Sequence, residues 1–221
     1  MKHIDIVIAT RNRYEKLKKM LKSIPDKPYI EVNIICDDEN DTLGKIIEEA
    51  EIIKRLNIGI LHAFKDRRGA VFCRNYAIQY CEDGVLYATD DMTFEPNSIE
   101  NALNAFSSHF PDDDGVVGFV QIPDNFHPTG VALVGQKFLQ RYPDKRLFWP
   151  GYHHFACQEV YWLASKLGKF HQEKTAVIKH YHPAFFKEEM DKTHREARIH
   201  REKDHALMRE RQAKGLIWGE S

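Results

Sequence analysis

Two adjacent aspartates follow directly after an apolar segment in the stretch VLYATDDMTFEP, residues 85–96. Two like charges at the end of a buried element repel each other unless a cation lies beside them. Carboxylates bind hard divalent cations such as Mg²⁺ and Mn²⁺, and these ions in turn bridge diphosphate oxygens. Asp90 and Asp91 are therefore candidates for binding a metal ion with a nucleotide diphosphate. An Asx turn or a helix cap explains the dipeptide better when it is taken alone.

A second acidic pair could contact the nucleoside part of such a ligand. Asp37 and Asp38 follow another apolar segment, and their carboxylates could hydrogen-bond a nucleobase or a ribose. Polar residues after the first apolar segment would line the other side of this site: Thr10, Arg11 and Arg13. A solvated acidic turn is an equally good interpretation of Asp37 and Asp38 by themselves.

Basic residues surround the start of a predicted helix in the stretch DRRGAVFCRN, residues 66–75. The N-terminus of a helix favours anions, because its free N–H groups and the helix dipole both attract negative charge. Arg67, Arg68 and Arg74 could therefore bind phosphate groups. An ordinary basic surface loop is the alternative.

An acidic residue among aromatic residues is the candidate for acid–base chemistry. Glu159 belongs to the stretch FWPGYHHFACQEVYW, residues 148–162. A carboxylate in an apolar wall can have a raised pKa and act as a general base towards an acceptor hydroxyl. The alternative is a glutamate near the start of a helix that faces solvent.

Two histidines end the last predicted strand, in the stretch TAVIKHYHP, residues 175–183. Imidazole is a common metal ligand and can also donate a hydrogen bond to phosphate. We expect one of His180 and His182, rather than both, to have such a role. Two ordinary core or surface histidines are the alternative.

Alternating strand and helix signals predict how these clusters are positioned. Apolar segments of strand length alternate with amphipathic helices over the first 90 residues: strands at 4–9, 30–36, 58–64 and 85–89, and helices at 13–24, 43–56 and 67–81. This alternation predicts an α/β domain with a parallel sheet and crossover helices. Ligands of such sheets bind outside the carboxyl ends of the strands, and a polar cluster follows each of the four strands. Four clusters in register indicate a binding site.

Composition and charge favour an ordinary globular protein. The chain has 221 residues with a net charge of -1, of which 43% are hydrophobic and 29% are charged. This balance gives no global attraction to nucleic acid or to an anionic membrane. No apolar run approaches the roughly 18 residues of a membrane span, and MKHIDIVIAT lacks the cleavage region of a signal peptide. We therefore expect a cytoplasmic protein with reduced cysteines.

The motifs taken in order resemble the GT-A glycosyltransferases, in particular the large inverting family 2. IDIVIATRNRYEK is similar to that family's opening strand and turn, and EVNIICDDEND to its nucleotide-binding turn. RRGAVFCRNYAI resembles the segment that carries a glycine and an Arg-Asn pair. YATDDMTFEPNSIENAL resembles the DxD-type metal motif with its following helix, with Met92 where many members have another aspartate.

The resemblance implies a Rossmann-like GT-A fold with a mixed, mainly parallel sheet flanked by helices, and the charged run at the end of the sequence predicts a charged C-terminal helix. The resemblance implies one domain over residues 1–221. Residues 1–95 would bind the nucleotide sugar and residues 96–186 the acceptor. Residues 187–221, which are heavily charged and poor in apolar residues, would form an outer helix or a mobile tail.

The resemblance also implies transfer of a sugar from a nucleotide-sugar donor, most commonly a UDP-sugar, to an acceptor hydroxyl with inversion. Mn²⁺ or Mg²⁺ would be the cofactor. Asp91 would bind the metal together with His180 or His182, and Glu159 would be the catalytic base. The remaining candidates would bind the nucleotide sugar: Thr10, Arg11, Arg13, Asp37, Asp38, Arg68, Arg74 and Asp90.

Two other functions compete with this interpretation. A nucleotidyltransferase on a similar sheet would also bind metal and nucleotide, but it should have a glycine-rich phosphate loop after the first strand, and ATRNRYEK has no glycine. A GT-A-like module that has lost catalysis would bind nucleotide only. The acceptor stays open among saccharides, lipid-linked glycans, proteins and modified nucleic acid, and for nucleic acid the sequence offers no support.

Overall fold

The computed structural model describes residues 3–37, 41–123, 127–153, 156–183 and 190–220. The strands are β1 (Ile4–Thr10), β2 (Ile30–Cys36), β3 (Asn57–Ala63), β4 (Gly84–Thr89), β5 (Met92–Phe94), β6 (Val116–Ile122), β7 (Ala132–Val134) and β8 (Phe170–His180). The helices are α1 (Tyr14–Ser23), α2 (Asp41–Glu48), α3 (Ala50–Arg55), α4 (Ala70–Ile78), α5 (Ser98–His109), α6 (Gln136–Leu139), α7 (Cys157–Lys166) and α8 (Lys192–Ala213), with a 3₁₀ helix at Pro143–Lys145.

The strands form one sheet in the order β3-β2-β1-β4-β7-β6-β8-β5. β1 pairs in parallel with β2 and with β4, and β2 pairs in parallel with β3. β7 is antiparallel to both β4 and β6, and β5 is antiparallel to β8. The predicted mixed, mainly parallel α/β sheet is confirmed. Its division into a donor-binding and an acceptor-binding half stays a prediction.

The register brings the ends of the first strands together. Thr10 at the end of β1 is aligned with Cys36 at the end of β2, and Ala9 is aligned with Thr89 at the end of β4. The polar clusters that follow β1, β2 and β4 therefore meet at the same edge of the sheet. This is the edge at which parallel α/β sheets bind their ligands.

The sheet is buried on both faces, which explains why residues 6–9 of β1 form a continuous apolar run rather than an alternating pattern. Ile6 and Ile8 face a core shared with α1 and α5, whereas Val7 faces a second core shared with α4 and α7. Of the four free cysteines, Cys36, Cys73 and Cys81 are buried, and Cys157 is partly buried. In the part of the chain that the structure describes, no helix is long and apolar enough to cross a membrane.

Several predicted boundaries differ from the structure. The helix predicted over residues 43–56 is two helices, α2 and α3. The short strand β5 follows the acidic pair directly, where no separate strand was predicted. The largest difference concerns α8: it is the expected charged C-terminal helix, but one of its faces packs against the rest of the fold. Its Leu207 and Met208 pack against the second core, and its first turns cover the carboxyl ends of the strands.

Candidate active site

A cavity of about 470 Å³ lies at the carboxyl ends of β1, β2 and β4, and residues of α4, β8 and α8 complete its lining. Most of the predicted site residues meet there: Thr10, Arg11, Arg13, Asp37, Arg74, Asp90, Asp91, His180 and His182. The side chain of Arg68 is not part of the lining and lies instead 5.7 Å from the ring centroid of Phe72. Asp38 lies outside the described residues.

The acidic pair is buried and is bridged by an arginine. Asp90 accepts hydrogen bonds from the Thr10 hydroxyl at 2.8 Å and from Arg13 Nη1 at 3.0 Å. Asp91 accepts a hydrogen bond from the Thr89 hydroxyl at 2.7 Å, and its other oxygen lies 3.5 Å from Arg13 Nη1. Arg13 is thus the cation that allows two carboxylates to share a buried position.

The two carboxylates differ in their electrostatic surroundings. Burial raises the pKa of Asp90, against the opposing effect of Arg13. Burial also favours the neutral form of Asp91, but hydrogen bonds from His180 and His194 and the charge of Arg13 outweigh it and hold the pKa of Asp91 well below its ordinary value. Asp91 is therefore the more strongly ionised partner, as a ligand of a hard cation must be.

Three histidines lie near Asp91 in the cavity. His180 Nε2 lies 3.6 Å from Asp91 Oδ1, and His194 Nε2 of α8 lies 3.3 Å from Asp91 Oδ2. His182 also lines the cavity, with its ring centroid 5.5 Å from that of His180. Residues two apart in an extended chain point to the same side, which is why both His180 and His182, rather than one, reach the cavity. Hydrogen bonds with Asp191 and Asp91 raise the pKa of His194 against the effect of burial.

The Asp37 carboxylate orders the loop before α4. It accepts hydrogen bonds from the backbone N–H groups of Arg68 at 2.6 Å and of Gly69 at 3.0 Å. Gly69 has φ +89°, and a Cβ atom there would lie 2.7 Å from the ring of His153. The His153 ring stacks on that of His200 of α8 at 3.7 Å. Burial and the neighbouring His200 and Arg67 lower the pKa of His153.

The arginines of the cavity fall into two groups. Arg11 and Arg67 share one counter-ion, Glu196 of α8, which lies 3.2 Å from Arg67 Nη1 and also accepts from Arg11. Arg74 differs, because neither its guanidinium as a whole nor its buried Nε forms a hydrogen bond or an ion pair with any described residue. Its guanidinium lies 5.8 Å from the ring centroid of Phe148, and burial lowers its pKa. Because a buried charge is costly unless it is paired, such a cation in a cavity favours the binding of an anionic ligand.

Glu159 is buried but does not line the cavity. One oxygen accepts from the Tyr152 hydroxyl and from Arg211 Nε at 2.7 Å, and the other accepts from Arg211 Nη2 at 3.0 Å and from the backbone N–H of Trp218 at 2.6 Å. Both oxygens are thus engaged with α8 and the segment after it. The structure joins Glu159 to the C-terminal segment and not to the other predicted site residues.

The model of the family "Glycosyl transferase family 2" matches residues 5–195, which is most of the chain. This chain belongs to glycosyltransferase family 2. The resemblance that the motifs indicated is thereby confirmed, and the match includes both acidic pairs, the arginines at the strand ends and all three histidines around Asp91. No curated protein sequence matches the chain significantly.

Solved glycosyltransferase structures share the family 2 fold. A mannosyltransferase, PcManGT from Pyrobaculum calidifontis in complex with GDP-Man and Mn²⁺, aligns over 81% of this chain and 56% of its own, with 16% identity and a TM-score of 0.66. S. aureus TarS 1–349 aligns over 82% and 61%, with 15% identity and a TM-score of 0.59. GalNAc-T7 with UDP, GalNAc and Mn²⁺ aligns over 81% and 44%, with 14% identity and a TM-score of 0.66. This chain thus spans less than two thirds of each.

The chemistry of the family 2 site fits a divalent cation. Asp91, His180 and His194 present carboxylate oxygens and imidazole nitrogens, which are ligands of Mn²⁺ and related ions. Among the described residues, however, no group of three or more histidines, cysteines or acids is arranged to hold an ion by itself. Sites of this kind commonly use one or two carboxylates together with substrate phosphates. The residues therefore fit an ion that arrives with a diphosphate.

The sequence interpretation missed the part of the family 2 site that α8 supplies. Three of its side chains line the cavity: His194, Arg198 and Arg201. Their spacing places them on one face of a helix, which is the signal that could have found them. Because the whole segment is charged, that face does not stand out until the helix is known to cross the strand ends.

Proposed function

We propose that this family 2 protein is a metal-dependent glycosyltransferase. It moves a sugar from a nucleotide-sugar donor, with a UDP-sugar as the first candidate, to a saccharide or other acceptor hydroxyl, with inversion. The observation that carries the proposal is the cavity itself, which combines a buried acidic pair with Arg74, a cation that lacks an anionic partner among the described residues. The complexes of PcManGT with GDP-Man and Mn²⁺ and of GalNAc-T7 with UDP, GalNAc and Mn²⁺ support it.

In this proposal the acidic end of the cavity binds the donor's diphosphate with Mn²⁺ or Mg²⁺. Asp91 would hold the ion, with His180, His182 or His194 beside it. When bound, the ion neutralises the negative charge of the departing diphosphate as a Lewis acid. Arg74 binds a phosphate oxygen and so stabilises the same charge as the glycosidic bond breaks.

The other end of the cavity binds the nucleoside. Asp37 fixes the loop at Gly69, and the ring of His153, which stacks on that of His200, forms the adjacent wall. Thr10 keeps Asp90 oriented towards the ribose and phosphate. These contacts hold the donor in one position, and positioning by itself supplies a large part of the rate enhancement in transfer reactions.

A base must take the proton of the acceptor hydroxyl. The assignment of Glu159 to this role stays a prediction, and the contacts set a condition for it. Arg211 and Trp218 must leave the carboxylate before it can accept a proton from an acceptor, because they and Tyr152 occupy both oxygens. Catalysis by Glu159 therefore requires the C-terminal segment to move.

The second candidate function is a GT-A-like nucleotide-binding module without catalysis. The observation that favours this second candidate is that both carboxylate oxygens of Glu159 already accept hydrogen bonds within the protein. Both candidates bind a nucleotide diphosphate, but only the enzyme releases sugar from the donor. The loop between β1 and α1 contains no glycine, and with the family 2 match this leaves the nucleotidyltransferase without support.

Thermal unfolding tests the proposal. The wild type and Asp91→Asn are heated with UDP, GDP, CDP or TDP, each with and without Mn²⁺. A ligand at 100 times its Kd stabilises the folded state by about 2.7 kcal/mol. We expect one nucleotide to raise the Tm of the wild type only when Mn²⁺ is present, and to leave the Tm of Asp91→Asn unchanged.

Asp112→Asn is the matched control, because Asp112 is an exposed acid paired with Lys137 and does not line the cavity. It should respond to nucleotide as the wild type does. The absence of any nucleotide-dependent shift in the wild type would refute the proposed function. Binding without release of sugar from the matching nucleotide sugars would favour the second candidate.

A further inference from the structure

The cavity has a cationic side that lies beyond the family match. α8 begins inside the matched region, which ends at residue 195, and continues to Ala213. Arg198 and Arg201 therefore fall outside the match and still line the cavity. Helical positions separated by three, four and seven residues share one face, and His194, Ala197, Arg198 and Arg201 have this spacing. All four line the cavity, with the small side chain of Ala197 between the larger ones.

We propose that Arg198 and Arg201 of α8 bind the diphosphate of the nucleotide-sugar donor. The inference rests on the proposed function, and it assigns to this helix a phosphate-binding role in the donor site. Neither arginine forms a hydrogen bond or an ion pair with a described residue, whereas the acids near the start of α8 are already paired. Asp191 binds Arg13, and Glu196 binds Arg11 and Arg67.

Arginines without an anionic partner among the described residues reach the cavity from two elements. Arg74 belongs to α4, and its charge is felt at Asp90 and Asp91. Arg201 belongs to α8, and its charge is felt at His182, the neighbour of His180. Arg74 and Arg201 line the same cavity as Asp91, so a diphosphate bound beside Asp91 would have both guanidinium groups in the walls around it. Guanidinium groups suit this role because their planar N–H donors match phosphate oxygens.

α8 is held firmly enough to position these side chains. One turn after Arg201, Asp204 is buried and accepts hydrogen bonds from the backbone N–H of His153 at 3.1 and 3.2 Å. In the next turn, Leu207 and Met208 pack against the second core, and this contact does not involve Glu159. Binding groups on an anchored helix lose less conformational entropy than groups on a free loop.

The test compares ligands that differ only in their phosphates. Calorimetry in the presence of Mn²⁺ gives the Kd of a nucleoside, its monophosphate and its diphosphate, with uridine or guanosine as the base according to which diphosphate stabilises the wild type. The variants are Arg198→Gln/Arg201→Gln and the charge-preserving Arg198→Lys/Arg201→Lys. Arg209→Gln is the matched control, because Arg209 is an exposed arginine of the same helix that does not line the cavity.

We expect the glutamine variant to bind the nucleoside like the wild type and the diphosphate at least about tenfold more weakly, since each charge-assisted hydrogen bond contributes roughly that factor. The lysine variant should recover part of the loss, and Arg209→Gln should lose nothing. Equal diphosphate affinity in the glutamine variant and the wild type would overturn the inference alone. So would an equal loss for nucleoside and diphosphate, because the effect would then not concern phosphate. A wild type that binds no nucleoside diphosphate would overturn the proposed function and the inference with it.

Discussion

At the scale of single residues, the positive charge of Arg13 explains how Asp90 and Asp91 can both be buried. Two buried carboxylates in sequence are tolerated because one guanidinium lies 3.0 Å from Asp90 and 3.5 Å from Asp91. Asp191 of α8 holds the same guanidinium through two hydrogen bonds, at 2.9 and 3.1 Å. Arg13 therefore links the strand end to the C-terminal helix. A metal ion bound at this site would lie near the positive charge of Arg13. Phosphate groups that bind together with the ion would offset this added positive charge.

Gly69 is the residue at which backbone conformation matters most for this cavity. Its φ of +89° disfavours residues with a Cβ atom, and the ring and carbonyl of His153 occupy the space that a Cβ would need. We expect Gly69→Ala to lower the free energy of unfolding by about 1–3 kcal/mol and to weaken nucleoside binding. Urea unfolding and calorimetry with the nucleoside measure the two effects.

Gly44→Ala is the control for this substitution. Gly44 lies within α2, and apart from its own helix backbone and chain neighbours no described residue comes within 4 Å of the position of its Cβ. Alanine is the better helix former, so Gly44→Ala should raise the free energy of unfolding by up to about 1 kcal/mol. If Gly69→Ala stabilised the protein in the same way, the inference that His153 leaves no space for a Cβ atom at residue 69 would be wrong.

At the scale of elements, α8 contributes residues both to the cavity lining and to the contacts of Glu159. Its residues close the cavity at one end, and Arg211 together with Trp218 closes off Glu159 at the other. One helix thus contacts both the cavity that we propose to bind the donor and the candidate base. The charge of this segment indicated a solvated helix, because sequence periodicity reports apolar faces and this helix binds the rest of the molecule mainly through ion pairs.

Glu159→Gln separates anchoring by Glu159 from catalysis. As an anchor, the carboxylate neutralises Arg211 in a buried position, so we expect its loss to lower the free energy of unfolding by about 3 kcal/mol. Glu220→Gln is the control, since Glu220 pairs with Lys166 at the surface and its loss should cost about 0–1 kcal/mol. Urea unfolding gives both values. Unchanged stability together with abolished sugar transfer would instead identify Glu159 as the base.

At the scale of the whole molecule, the sequence predicts the sheet better than the site. Strand and helix alternation in the first 90 residues was sufficient to place Asp37, Asp90 and Arg74 at one edge, because the topology of parallel sheets leaves few alternatives. The same reasoning predicted neither the contacts of Glu159 nor those of His194. Their partners are 52 and 103 residues away in the chain, and no local periodicity encodes such contacts.

Acid stability tests the packing of the second half of the fold. Asp114 is buried before β6, and it binds Arg141 after α6 and Lys169 before β8. Burial opposes ionisation of Asp114, but hydrogen bonds from Arg141 and Lys169 prevail and lower its pKa below the ordinary value of 3.8. A lowered pKa in the folded state means that the stabilisation is complete above pH 3.8 and is lost as the pH falls through the folded-state pKa.

We therefore expect Asp114→Asn to lower the free energy of unfolding by about 3 kcal/mol at neutral pH, because it leaves two cations without their shared acid. The difference from the wild type should shrink as the pH falls below 3.8, since the wild-type carboxyl then becomes protonated and neutral like asparagine. Urea unfolding of both proteins from neutral pH down to about pH 3 measures the difference. A difference that stays constant over this range would show that Asp114 stabilises the fold through its shape and hydrogen bonds and not through its charge. The ion pairs of Arg141 and Lys169 would then contribute nothing measurable to holding β6 and β8 together.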